Sequence, residues 1–199
     1  DGVVQDKLKV IYNPINFKTI KHDKLKEKTL IYAGRISEEK GVHELIKALE
    51  SSNLNDHKLY IIGEGDQKEA LQNIYRKNGN IEFLGHQRNS EVLKYIENAT
   101  AVVTATTLYE GQPRLLCEAS SFRTVSIYPS FGGMDEFFPT NYELSFEQFN
   151  YKDLVDKFNL LLDDELLITL SKNVYTHLLE KLNEKEIFNS FDNLFKVKN

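Results

Sequence analysis

Between Leu30 and Tyr128, short apolar runs alternate with stretches of helical periodicity, and that alternation leaves few folds open. The runs are LIYAG (Leu30 to Gly34), KLYIIG (Lys58 to Gly63), IEFLG (Ile81 to Gly85), TAVVTA (Thr100 to Ala105) and Thr124 to Tyr128. Each has the length and apolar character of a buried strand. Val42, Leu45, Ile46 and Leu49 recur at the i, i+3, i+4, i+7 spacing of an amphipathic helix. Ala70, Leu71, Ile74 and Tyr75 form a second such set, and Val92, Tyr95, Ile96 and Ala99 a third. Another helix is expected from Pro113, because a residue without an N–H fits the first helical position. Tyr142 to Leu144 is expected to be a last strand. Strands and helices that alternate with short links predict an α/β fold: a doubly wound parallel sheet with helices on both faces. From Tyr151 the chain turns helical. Leu154, Val155, Phe158, Leu161 and Leu162 make one stripe, and Ile187, Phe188, Phe191, Leu194 and Phe195 another. Asp163-Asp164-Glu165 lies between the stripes and reads as a helix start.

The 199 residues are enough for one domain with a full core. No apolar run approaches the ~18 residues that span a bilayer, and the N-terminus carries no signal pattern. The net charge of −5 argues against nucleic acid as a partner and against a broad anionic-membrane surface. An anionic ligand would therefore need a few local cations. One cysteine, Cys117, excludes an internal disulfide and fits a reducing compartment. Val10, Ile11 and Tyr12 look like a strand end, and Asn13-Pro14 like a turn. The polar, lysine-rich stretch from Lys18 to Lys28 has little to bury. Residues 1–28 thus read as a linker and partial N-terminal element, and residues 29–199 as one domain.

Ligands of such a sheet bind at the carboxyl ends of the strands, where helix N-termini point. The strand-to-helix links there read AGRISEEKG, GEGDQ, GHQRN and TTLYEGQP. In the first, Arg35 and Lys40 are cations beside helix amides that already favour anions. Arg grips phosphate oxygens with two donors and Lys adds a point charge. Flanked by Glu38 and Glu39, the same pair also reads as a solvated turn. Gly63 and Gly65 form a lone G-x-G without the third glycine of a dinucleotide fingerprint, so a tight turn is the simpler reading and a dehydrogenase is disfavoured. His86 and Gln87 end a strand, where they face a nucleobase or belong to a surface loop. Glu110 precedes the expected helix and Glu118 lies in its second turn. Glu118 either reaches back to accept hydrogen bonds from ligand hydroxyls or pairs with Arg114 at i, i+4. Cys117 reads as a small core residue. The histidines show no metal-ligand spacing, and no D-x-D pattern stands in a loop to hold a divalent cation beside a diphosphate.

Taken in order, VIYNPI, AGRISEEKG, YIIGEG, IEFLGH, TLYEGQPRLLCEA and GGMDE resemble the carboxyl-terminal, donor-binding half of a retaining GT-B glycosyltransferase of group 1, or family 4. The E-x7-E spacing of Glu110 and Glu118, with R-x4-K upstream, carries the resemblance. It implies a Rossmann-like domain that binds a nucleoside-diphosphate sugar, which is a donor substrate, so no cofactor is expected. By position, Arg35 and Lys40 match residues that hold the diphosphate. Glu110 matches one beside the transferred sugar, and Glu118 one that binds the ribose. Gly111, Gln112, Pro113, Arg114, Leu115 and Leu116 match the loop and helix start that contact sugar and phosphate. Gly63 matches the second strand's turn, and His86 and Gln87 fall near the base. Gly132, Gly133 and Glu136 match a further pattern. The sequence departs from the family at SSFRTVSI, where a Gly-x-Pro-Val run is usual, which leaves that strand's register open, and at Arg114, where an apolar residue is common.

The resemblance further implies transfer to an acceptor glycan or glycolipid with retained anomeric configuration, without metal, and with the acceptor site in an N-terminal half outside this chain. Polysaccharide biosynthesis in the cytoplasm follows as an expectation, with the full-length enzyme in peripheral contact with the membrane's inner face. A non-catalytic nucleotide- or carbohydrate-binding module of the same fold is the alternative.

Overall fold

A computed structural model describes residues 10–17 and 26–195, with the side chains of Glu186, Asn193, Leu194 and Phe195 left aside. The first nine residues and most of the lysine-rich stretch lie outside this range. Six strands form the sheet: β1 (Glu27–Ala33), β2 (Lys58–Ile62), β3 (Ile81–Gly85), β4 (Ala99–Val103), β5 (Val125–Ser130) and β6 (Ser145–Glu147). Their order is β3-β2-β1-β4-β5-β6, and every pairing is parallel. The links carry α1 (Val42–Ser51), α2 (Lys68–Tyr75), α3 (Asn89–Asn98) and α4 (Arg114–Ser121). The helices α5 (Tyr151–Leu160), α6 (Asp164–Leu182) and α7 (Glu184–Phe195) trail the sheet. The expected α/β, doubly wound architecture is the one observed.

The sequence explains the layout. β1 and β4 lie in the middle, and Leu30, Ile31, Ala101, Val102 and Val103 are fully buried. A parallel strand covered on both faces needs such a run rather than alternation. α1 packs against α5, and α4 against α3 and α6, which gives the two helical layers. The α1 stripe is buried as its spacing requires. The α2 stripe is not: only Leu71 is buried, and Ile74 is exposed. α2 precedes β3, the half-buried edge strand, where there is less sheet to cover.

Several boundaries differ from the sequence reading. Ala99 belongs to β4 rather than α3. Its backbone is extended, and its N–H still closes the helix on Tyr95 and Ile96, so helix passes to strand without a loop. The last strand is Ser145–Glu147 rather than Tyr142 to Leu144. Tyr142 is buried by its ring, stacked on Tyr128 with centroids 5.9 Å apart, and its hydroxyl accepts from the Ser126 N–H at 3.1 Å. Val10 to Tyr12 form no strand. The described segment 10–17 is irregular, yet it packs on the domain through Ile15, which is buried. As expected, Asp163 starts a helix, its carboxylate accepting from the Leu166 N–H at 3.0 Å.

The atypical stretch before β5 resolves into a tight turn. Arg123 takes a left-handed backbone, φ 52°, and the Thr124 N–H bonds back to Ala119. β5 then pairs in register with β4, Ala101 opposite Val125. Lys26 locks this corner from below, its ammonium donating to the carbonyls of Glu97 and Phe122 and to the Thr124 hydroxyl at 2.7–3.0 Å.

Candidate active site

The chain leaves β1 toward β2 on one side and β4 toward β5 on the other. Helices therefore part at the carboxyl ends of this strand pair, the usual place for a ligand crevice. A cleft of about 170 Å³ opens there. Its floor is the end of β1 (Tyr32, Ala33, Gly34) and the end of β4 (Val103, Thr104, Thr106). Its walls are Lys40, Glu110, the residues 113–116 and Met134.

Local structure brings Lys40 and Glu110 together. Gly41, the α1 cap, sits at φ 66°, and a Cβ there would stand 2.3 Å from the Ala105 carbonyl oxygen. Only glycine lets the turn that carries Lys40 approach the β4 link so closely. The Glu39 carbonyl accepts from the Thr107 N–H at 2.8 Å and from the Thr107 hydroxyl at 3.2 Å, tying the two links. On the other flank the Gly133 N–H donates to the Glu110 carbonyl at 2.8 Å. Between these ties Lys40 Nζ donates to Glu110 Oε1 at 2.6 Å, with both side chains about a quarter to a third exposed. The sequence pointed to each residue but not to their pairing.

Arg35 is exposed, and its side chain is not part of the cleft lining. Its carbonyl accepts from the Tyr32 hydroxyl at 2.5 Å, which shapes the Arg35 turn. Burial first, then the nearby charges of Glu39 and Glu110, push the Tyr32 hydroxyl far above its ordinary pKa. It therefore stays a neutral donor. Tyr32, Thr104, Thr106 and Met134 also line the cleft, though the sequence reading gave them no role: the first two lie in runs read as strands, and the last two in motifs where other residues were singled out.

Helix α4 starts at Arg114, with Pro113 as its cap rather than its first residue. The Cys117 N–H reaches back to the Pro113 carbonyl at 3.0 Å. The earlier amides of Arg114, Leu115 and Leu116 have no partner within the helix, and these residues line the cleft. Cys117 is fully buried, and burial pushes its thiol up to about 12, so it is inert core. Glu118 is largely buried and pairs with Arg114, Nε to Oε1 at 2.9 Å. In this structure it lies outside the lining, in the i, i+4 bridge that was the other reading of this residue.

The other candidates sit around this centre. Gly63 adopts φ 143°, and a Cβ there would come within 1.9 Å of the Gly34 carbonyl oxygen, so it packs the β1 turn from behind. The His86 N–H donates to Glu64 at 3.2 Å. Gln87 Nε2 donates to the Leu84 carbonyl at 2.8 Å and holds its own turn. Gly111 is exposed, and the Gln112 side chain turns away to Asn13. Gly132 and Gly133 back the Glu110 turn. Glu136 accepts from the Tyr12 hydroxyl and lies 3.5 Å from Lys181 Nζ, outside the cleft. Among the described residues no three His, Cys, Asp or Glu side chains cluster as metal ligands would.

The sequence model of the family described as "Glycosyl transferases group 1" matches residues 15–177. The chain belongs to the group 1 glycosyltransferases. One relative is the uncharacterized glycosyltransferase MJ1607 of Methanocaldococcus jannaschii, 29% identical over 151 residues, which are 66% of this chain and 38% of that protein. The catalytic domain of cholesterol-α-glucosyltransferase from Helicobacter pylori superposes with a TM-score of 0.69 at 25% identity, covering 77% of this chain and 98% of that one. The pneumococcal O-GlcNAc transferase GtfA, solved with UDP and GlcNAc, gives a TM-score of 0.78 at 20% identity over 91% of this chain and 38% of its own. This group 1 glycosyltransferase chain therefore spans well under half the length of MJ1607 and of GtfA. Its candidate site lies in the loops after β1 and β4, with AGRISEEKG on one wall and YEGQPRLLCE on the other.

Proposed function

We propose that this chain is the donor-binding half of a retaining glycosyltransferase that moves a sugar from a nucleoside diphosphate to an acceptor hydroxyl. The observation that carries the proposal is the Lys40–Glu110 pair at the mouth of α4, a cation and a carboxylate beside amides that have no partner within the helix. The diphosphate would lie against Lys40, Arg35 and those amides. Bond cleavage to the sugar puts negative charge on the leaving diphosphate, and these fixed donors meet it where it develops. Glu110 would face the sugar, and Glu118 the ribose hydroxyls once it leaves Arg114. The sequence has no D-x-D loop and two cations in its place, so the reaction is proposed to need no metal. The UDP bound to GtfA supports a nucleoside diphosphate as the ligand.

The cleft of about 170 Å³ is smaller than the ~300–1,000 Å³ of a usual small-molecule pocket. It has room for part of a donor, so the acceptor, a glycan or glycolipid, would be held by another body of the whole enzyme. None of the described helices is long and apolar enough to cross a membrane. The proposed setting is the cytoplasm, with contact at the inner membrane face left to the whole enzyme.

Titration of this chain with UDP, GDP and ADP tests the reading. At 100 times its dissociation constant, the preferred nucleotide stabilises the fold by ~2.7 kcal/mol, visible as a rise in melting temperature. No shift with any of the three overturns it. Measured transfer in the full-length enzyme should survive a chelator and keep the anomeric configuration by NMR. Its absence in an otherwise binding protein would favour the non-catalytic module.

A further inference from the structure

We infer that Gln112 is a positioning residue that makes the Glu110 turn and the segment 12–15 a single unit, so that nucleotide binding and the order of that segment are coupled. The inference rests on the donor-binding reading above and goes beyond it, because the Gln112 side chain is thereby taken out of direct ligand contact.

The Asn13 N–H donates to Gln112 Oε1 at 2.7 Å, and Gln112 Nε2 donates back to the Asn13 carbonyl at 2.9 Å. A primary amide paired with a backbone amide in this two-way fashion fixes both position and direction. Gln112 lies two residues after Glu110 and next to Pro113, where α4 is capped. Gly111 between them has nothing within 4 Å of where a Cβ would be. On that flank the turn is thus held through Gln112.

The same segment grips the turn from its other side. The Tyr12 hydroxyl donates to the Glu136 carboxylate, and the Tyr12 ring meets Phe137 edge-on at 5.2 Å. Lys181 Nζ stands 5.1 Å from both ring centroids. The Ile15 N–H donates to the Leu182 carbonyl at 3.3 Å. Residues 134–137 continue from Gly133, whose N–H holds the Glu110 carbonyl. Glu110 therefore sits in a turn clamped on two sides by one irregular segment some hundred residues earlier in the chain. A ligand that orders Glu110 to Pro113 must also order Asn13, and by linkage the reverse holds with the same factor.

Hydrogen exchange of the segment 10–17 tests this, with and without the tightest binder among UDP, GDP and ADP. In the wild type, saturation should slow exchange at Asn13 by about fivefold or more, the low end of typical coupling between sites. Gln112→Ala should abolish that response and weaken the nucleotide by about the same factor. Gln112→Glu keeps the acceptor for the Asn13 N–H but sets a carboxylate against the Asn13 carbonyl, so it should lose the exchange response as Gln112→Ala does and bind the nucleotide no more tightly than Gln112→Ala. A residue that merely tacks down a loose segment would change exchange in the absence of ligand but leave affinity untouched. A nucleotide that binds without altering exchange at Asn13 overturns the coupling while leaving the donor-binding reading intact. Should none of the three bind, both fall together. If the variants fail to fold, the wild-type comparison alone still decides.

Discussion

Lys40 and Glu110 are seventy residues apart in sequence and 2.6 Å apart in space. Neither residue alone reveals this, because the distance is set by the Glu39–Thr107 bonds and by the glycine at 41. What a sequence carries well is residue type at fixed spacing. The Arg114–Glu118 bridge follows from i, i+4 geometry, and the inert burial of Cys117 from its apolar neighbours. The Lys40–Glu110 pair sharpens what removal of the carboxylate does. On the proposed reading, a bare nucleoside diphosphate draws Lys40 away from Glu110. In Glu110→Gln the ammonium is available from the start, so the bare nucleotide should bind more tightly, by up to about fivefold, the worth of a partly exposed ion pair (~0.2–1 kcal/mol). On the same reading the sugar nucleotide gains nothing comparable, because the substitution removes the carboxylate proposed to face the sugar. Lys40→Ala should weaken both ligands by about tenfold or more, a charge-assisted bond being worth ~1.5–3 kcal/mol. Calorimetric titration of both variants with both ligands is the check. Weaker binding of bare nucleotide to Glu110→Gln would show that the carboxylate recognises the nucleotide and does not compete for Lys40.

At the scale of elements, spacing located strands and helices more surely than it located their ends. The central strands announced themselves through unbroken apolar runs. The α3–β4 junction did not, because Ala99 suits a helix as well as a strand and the change is made by its pairing with Glu27. The Tyr142 region failed for a related reason: an aromatic can be buried by ring stacking with no sheet partner. Helix α6, with Leu170, Val174, Leu178 and Leu182 buried, was not singled out beyond its first turn, since its polar intervals dilute the stripe. The turn from α4 into β5 yields a prediction. Arg123 holds φ 52° there, a region that costs a side-chain-bearing residue ~1–2 kcal/mol. Its guanidinium lies 5.3 Å from the Tyr175 ring centroid, which offsets ~0.5–1 kcal/mol of that cost. Arg123→Ala keeps the strain and loses the ring contact, whereas Arg123→Gly loses both. Urea denaturation should therefore rank Arg123→Gly above Arg123→Ala in stability. The reverse ranking would show that the left-handed backbone at this turn stores no strain that glycine relieves.

For the whole molecule, the order β3-β2-β1-β4-β5-β6 opens a crevice at the carboxyl ends of β1 and β4, and of the residues the motifs pointed to, Lys40, Glu110 and residues 113–116 line it, whereas Arg35 and Glu118 lie outside the lining. Two histidines outside the cleft lining carry a consequence of their own, in the response to acid. His57 is 4% exposed, and burial, the largest influence on it, lowers its pKa below the ordinary value even though Asp56 pulls the other way. His177 is lowered as well, first by burial and then by the charge of Lys181. A histidine whose folded pKa is depressed takes up its proton more readily in the unfolded chain. Unfolding then binds protons, and stability rises with pH across that interval. The contribution is fully present above the unfolded value of ~6.5 and is lost as pH falls through the folded one. The carboxylates Glu39, Asp56 and Glu64 are also lowered, but they titrate only below ~4.5. The window between ~6.5 and ~4.5 therefore belongs to the histidines. Melting temperature should be level from pH 8 to 7 and decline from there to pH 5. His57→Gln combined with His177→Gln should flatten that decline while leaving the drop below pH 4.5 in place. A wild-type curve that stays level down to pH 5, or a double variant as acid-labile as the wild type, would mean that neither histidine is kept neutral by the fold.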